Sequence, residues 1–196
     1  MSNATPPDDS RALCEAFVAV RRLTEALAAP LSAEDQLIQS MRHEVKIIQH
    51  LATKVPAGTY DWRPTPKQRS TLELMKYLTH CGLIGAVHAV TNEWDHAEEM
   101  EKRSESVTPE TFHAAMDDQM ARLEALVRSV SDDDLAHKDT TMPWGTPTKV
   151  GLGLIDMSIK PLAAYRMQFF LYAKQSGNAD LGPSNCWVGV DMPKQA

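Results

Sequence analysis

The sequence predicts an all-α protein: an up-down-down-up four-helix bundle with an extra N-terminal helix and an irregular C-terminal tail folded back on it. Three observations carry that expectation. Apolar residues recur at steps of three and four through several separate segments, which gathers them on one face of a helix. Ser- and Thr-led caps, with prolines, mark where those segments begin and end. No stretch alternates apolar and polar residues well enough to read as a strand.

Residues 1–8 read as a mobile tail and residues 9–196 as a single domain. Asp9 or Ser10 can cap a first helix to about Ala28, with Leu13, Phe17, Val20 and Leu27 on one side and Pro30 as its stop. Ser32-Ala-Glu-Asp35 resembles a capping box and opens a second helix to about Lys54, with Leu37, Met41, Ile48 and Leu51 as its core stripe. His43 and His50 share another face of it. Residues 55–69, with three prolines and a glycine, form a connection that Trp62 is expected to anchor.

Ser70-Thr-Leu-Glu73 is a better capping box, and the spacing predicts one helix from Thr71 to about Asn92 with His80 in its middle. It is apolar nearly all round, which places it centrally. Gly82 and Gly85 weaken it and admit a close neighbour. Residues 94–107 are charged and read as a solvated connection, with His88 and His96 at a solvated rim. Thr108-Pro109 starts the next helix, striped by Phe112, Met116, Leu123, Leu126 and Val130. The acidic Asp132, Asp133 and Asp134 read as a helix start. A loop, TTMPWGTPT, then leads to the long last helix, residues 148–177, with Gly177 as C-cap. In the tail beyond it, Trp187, Val188 and Val190 are expected to pack.

The last helix carries the candidate site. Met157, Pro161, Tyr165, Gln168 and Tyr172 fall at spacings of four, four, three and four, and so share a face. The other side, Ile155, Ile159, Leu162, Phe169 and Ala173, reads as core. A stripe of tyrosines and a glutamine beside a core face points to a polar interhelical pocket. Pro161 removes the donor that the Met157 carbonyl would use, which predicts a kink and a carbonyl turned toward that pocket.

Composition excludes several functions. The net charge is −6 and no Lys/Arg run could track phosphates, which argues against nucleic acid. No apolar run reaches the ~18 residues of a membrane span. The N-terminus lacks a signal-peptide pattern. Three widely spaced cysteines, Cys14, Cys81 and Cys186, read as reduced thiols of a cytoplasmic protein. No Gly-rich phosphate loop, Gly-x-Ser-x-Gly step or His-Glu-x-x-His pair is present.

The stretch TYDWRPTPKQRSTLELMKYLTH, an aromatic-Trp-Arg-Pro loop followed by a Ser-capped helix reaching His80, resembles the DinB/YfiT-like superfamily. Tyr165-Arg166-Met167-Gln168 is similar to the family's His-Arg-x-Gln step. The resemblance implies a four-helix bundle, often a homodimer, with a metal held by one histidine from the second bundle helix and two, four apart, from the last. Here His80 fills the first place, while the pair falls on Pro161 and Tyr165. Proline has no ligating group, and tyrosine is a phenol with an ordinary pKa of about 10, neutral at pH 7. One imidazole cannot hold zinc, which takes three or four ligands.

The expected reading is therefore a DinB-like protein with a degenerate metal site and no resident cofactor. It would bind a small molecule in a pocket lined by His80, Tyr165, Gln168 and Tyr172. The alternatives are a hydrolase or thiol transferase using a divalent metal such as Zn or Ni at His80 and His43, and a non-catalytic dimeric scaffold. His80 itself reads as a ligand, a general base, or a buried histidine bonded to a neighbour.

Overall fold

The computed structural model describes residues 31–192 together with Val18. The chain divides into two compact units, residues 1–32 and 33–196. The expected tail and first helix, Cys14 included, lie outside the described residues. Every helix and strand named below belongs to the second unit.

Four long helical stretches form the bundle. The first, α1 (Ala33–Ala52), buries Leu37, Met41, Ile48 and Leu51, the expected stripe, and adds Ile38, Val45 and Ile47. The second comes in two pieces, α2 (Thr71–Leu78) and α3 (Cys81–Thr91). A short α4 (Ala97–Ser104) precedes the third stretch, α5 (Phe112–Arg128). After α6 (Asp132–His137) come β1 (Asp139–Thr141) and β2 (Pro147–Lys149). The fourth stretch is α7 (Val150–Leu154), a π-helical turn (Ile155–Ile159) and α8 (Lys160–Gln175), and α9 (Pro183–Trp187) is the last helix of the described residues. α1 packs on α5 and α8, and α3 packs on α5, α7 and the π turn. No helix of the described residues is long and apolar enough to cross a membrane.

The caps at Ser70 and Ser131 form as expected, whereas the helix expected to start at Thr108-Pro109 begins at Phe112, with Thr111 as its N-cap. The Glu73 amide donates to Ser70 Oγ at 3.2 Å, and the Ser70 amide to Glu73 Oε2 at 2.6 Å, so both halves of the capping box are made. Ser131 Oγ accepts from the Asp134 amide at the start of α6. Trp62 anchors its loop by an edge-on contact with Tyr172, ring centres 5.2 Å apart. Its carbonyl accepts from the Thr71 amide.

Four expectations are corrected. The segment read as one helix from Thr71 to Asn92 breaks at Thr79 and His80, where His80 adopts φ −140°. Thr79 turns its amide back on Lys76 and Tyr77, and its hydroxyl donates to the Lys76 carbonyl, a local bond that competes with the helix ladder. The segment read as a solvated connection contains α4, which buries Met100 and Ser104, residues four apart on one face. The TTMPWGTPT loop is a hairpin, with Asp139 opposite Lys149 and Thr141 opposite Pro147, turning at Gly145 with φ +86°. His88, read as a rim residue, is buried: it stacks on Trp94 (4.0 Å, 14°), and Nε2 lies 2.9 Å from the Thr141 carbonyl oxygen, pinning the hairpin.

Pro161 is accommodated by the π turn rather than by a simple kink. The turn carries one more residue per turn than an α-helix and shifts the phase of everything before it. Leu162, Phe169 and Ala173 are in the core as expected, but Ile155 is 36% exposed, and Val150, Leu154 and Met157 point inward instead. The Met157 carbonyl cannot receive its usual bond from residue 161. It faces α3 rather than an open pocket: a Cβ placed on Gly85 would lie 1.7 Å from its oxygen.

The tail folds back on α1 and α8 and buries Leu181 and Cys186, not the three apolar residues expected to pack. Trp187, Val188 and Val190 are 57%, 58% and 45% exposed. Polar anchors hold it: Asn185 Nδ2 donates to the Val190 carbonyl and to Asp191 Oδ1, and Lys54 Nζ donates to Asp191 Oδ2 at 2.5 Å.

Candidate functional site

The break in the second bundle helix exposes backbone groups that an intact helix would pair. Gln119 of α5 closes them. Its Nε2 donates to the Leu78 carbonyl at 2.9 Å, and its Oε1 accepts from the amides of Gly82 and Leu83 at 3.1 and 3.3 Å. Gln119 is 1% exposed, so this carboxamide works where water does not reach. Between the two cut ends sits His80, whose carbonyl accepts from the Ile84 amide at 3.0 Å and whose side chain lines the space beside α4 and α5.

His80 lines a cavity of about 430 Å³ between the helix break, α4 and α5. Leu83, Met100, Val107 and Ala115 supply apolar walls, and Arg103, Asp118 and Arg122 stand around it. His80 is 6% exposed. Its Nδ1 is buried and makes no hydrogen bond of good geometry, while the Lys76 carbonyl lies close enough to the ring to act on it. Burial holds the imidazole below its ordinary range, with Glu101 and the Lys76 carbonyl pulling the other way. The ring is therefore mainly neutral at pH 7 and keeps a lone pair to offer.

The other candidate residues lie behind this cavity. Tyr77 makes edge-on contacts with both His80 (5.3 Å, 80°) and Tyr165 (4.7 Å, 68°), while Arg69 lies 4.1 Å over its ring. Burial, with Tyr165 beside it, pushes the Tyr77 phenol well above its ordinary range. Gln168 Nε2 donates to the Tyr172 hydroxyl at 2.8 Å, and Tyr172 is 2% exposed. The structure thus links His80 to Tyr165 through Tyr77 and sets Gln168 and Tyr172 together as a separate bonded pair. None of Tyr165, Gln168 and Tyr172 lines the His80 cavity.

The donors do not fit a metal ion. Tyr165 meets a second phenol, Tyr77, and Pro161 offers no side-chain donor. His43 lies on α1 against the Trp187 carbonyl, 3.3 Å away, and lines a different cleft with Ser40 and Lys46. Among the described residues no three His, Cys, Asp or Glu side chains are gathered to hold an ion. Cys81 follows His80 but is buried, and burial pushes its thiol up to about 12, so it is no nucleophile at neutral pH.

Arg103, Asp118, Arg122 and Gln119 were not legible as site residues. The signal for α4 was faint, one buried methionine and one serine four apart, and Gln119 reads as an ordinary polar helix residue until its carboxamide is seen to span the break.

No family model matches the chain, and no curated protein does. A solved structure does: the crystal structure of a DinB-like protein from Bacillus subtilis superposes with a TM-score of 0.59 at 15% sequence identity, covering 75% of this chain and 96% of that one. At that identity the likeness speaks for the fold, and the fold of this chain is that of a DinB-like helical bundle.

Proposed function

We propose that the protein binds a small organic molecule in the cavity beside His80. The observation that carries this reading is a nearly buried, neutral imidazole at a helix break, its Nδ1 without a hydrogen bond of good geometry, on the wall of a roomy cavity. A histidine serving only the core would be expected to satisfy its ring nitrogens locally. Tyr77 and Tyr165 stand behind the imidazole and fix its position, and Gln168 and Tyr172 stiffen the helix that carries Tyr165. Whether or not the bound molecule reacts, the ring nitrogen open to it is the group that would accept a proton.

A fragment screen followed by amide proton–nitrogen correlation spectra tests this. Hits are expected to move the signals of Leu83, Ala114 and Ala115, and to lose that effect in His80→Ala. Hits that map only to other surfaces, or that bind His80→Ala unchanged, would overturn the reading.

A further inference from the structure

Taking the His80 cavity as a binding site, we propose that its occupant is a small organic acid. Its carboxylate meets Arg103 and Arg122, and its own hydroxyl or amine proton meets His80. The hydrogen-bonding capacity left over in the cavity wall points there. The four hydroxyls that line it each donate to a carbonyl three residues earlier: Thr79 to Lys76 (2.7 Å), Ser104 to Glu101 (2.6 Å), Ser106 to Arg103 (3.0 Å) and Thr111 to Thr108 (3.3 Å). Their protons are spent, and they offer only lone pairs. The strong donors remaining are the two guanidinium groups.

Those two guanidiniums share one carboxylate. Asp118 Oδ2 lies 3.3 Å from Arg103 and 3.9 Å from Arg122. Two cations against one anion leave the trio with a net charge of +1, and Glu101, whose charge also reaches His80, does not line the cavity. Guanidinium forks match carboxylates in shape as well as in charge. The neutral His80 ring carries one N–H and one bare nitrogen, and a bare nitrogen facing the cavity calls for an N–H or O–H on the ligand. Between these ends Leu83, Met100 and Val107 leave room for an apolar body. A cavity of about 430 Å³ is of the size that encloses small organic ligands.

Three matched probes separate the parts: phenyllactate, its neutral amide phenyllactamide, and hydrocinnamate, which lacks the hydroxyl. Phenyllactate is expected to shift the Ala114 and Ala115 amide signals saturably. The amide should bind about tenfold more weakly or worse. Arg103→Leu and Arg122→Leu, both at exposed side chains (58% and 40%), should erase the preference for acid over amide. His80→Ala should erase the preference for phenyllactate over hydrocinnamate. Equal binding of acid and amide would overturn the acid while leaving the cavity as a binding site. No shift from any probe up to about 10 mM would also overturn it, and the fragment screen would then judge the cavity separately.

Discussion

Glu44 and Arg166 are both charged and both nearly shut away from water, at 12% and 6% side-chain exposure. Glu44 Oε2 and Arg166 Nε lie 3.2 Å apart, yet neither atom makes a hydrogen bond of good geometry. Burial raises the Glu44 carboxyl above its ordinary range, although Arg166 and His43 both pull it down. Desolvation therefore outweighs attraction, and the Trp187 ring lies 4.8 Å from the guanidinium. Removing one partner strands the other. Glu44→Gln or Arg166→Met alone should cost about 3 kcal/mol or more in urea unfolding, and the double change Glu44→Leu with Arg166→Met much less. A double variant as unstable as the sum of the singles would refute this. Arg166 was legible as part of a motif, but its partner was not: Glu44 looks like any charged residue on a helix face, and only the packing of α1 on α8 brings them together.

At the scale of elements, starts with a side-chain cap were legible and interruptions were not. A capping box is local chemistry, complete within four residues, so Ser70 and Glu73 announced α2 without help from the fold. The break at His80 joins a local bond at Thr79 to a partner from another helix, and the π turn before Pro161 is also set against another helix. Gln119 stabilises the first, and the second is set against Gly85 of α3. That contact makes an unusual prediction. Gly→Ala inside a helix ordinarily gains up to about 1 kcal/mol. Gly85→Ala should instead lose several, because its methyl would collide with the Met157 carbonyl, which is backbone and cannot swing away. Thermal unfolding checks it, with Gly182→Ala as control, since a Cβ there meets nothing within 4 Å. An unchanged melting temperature in Gly85→Ala would count against the packing described.

For the whole molecule, the helical class and most of the core stripes followed from periodicity, because burying a face is a demand every helix states in its own residues. The cavity followed from none of that, since it lies where three helices fail to fill space. Two histidines give the molecule a readable dependence on pH. His80 and His50 both titrate below the ordinary imidazole range, chiefly through burial. The unfolded chain therefore binds more protons just below pH ~6.5, and stability falls as pH drops through that window. Glu44 works oppositely: its raised value lets the folded chain hold the extra proton above ~4.5, so its contribution declines as pH rises. Moving from pH ~7.5 to ~5.5 should destabilise the wild type more than His80→Gln, measured by urea titration at both. Equal losses would mean that the imidazole is not withdrawn from solvent as described. Gln119 has a consequence of its own for how the molecule breathes. One amide group staples two severed ends, so the ends share a fate. Any fluctuation that lifts the third bundle helix unfastens the second at its midpoint, and the floor of the cavity rearranges in the same instant.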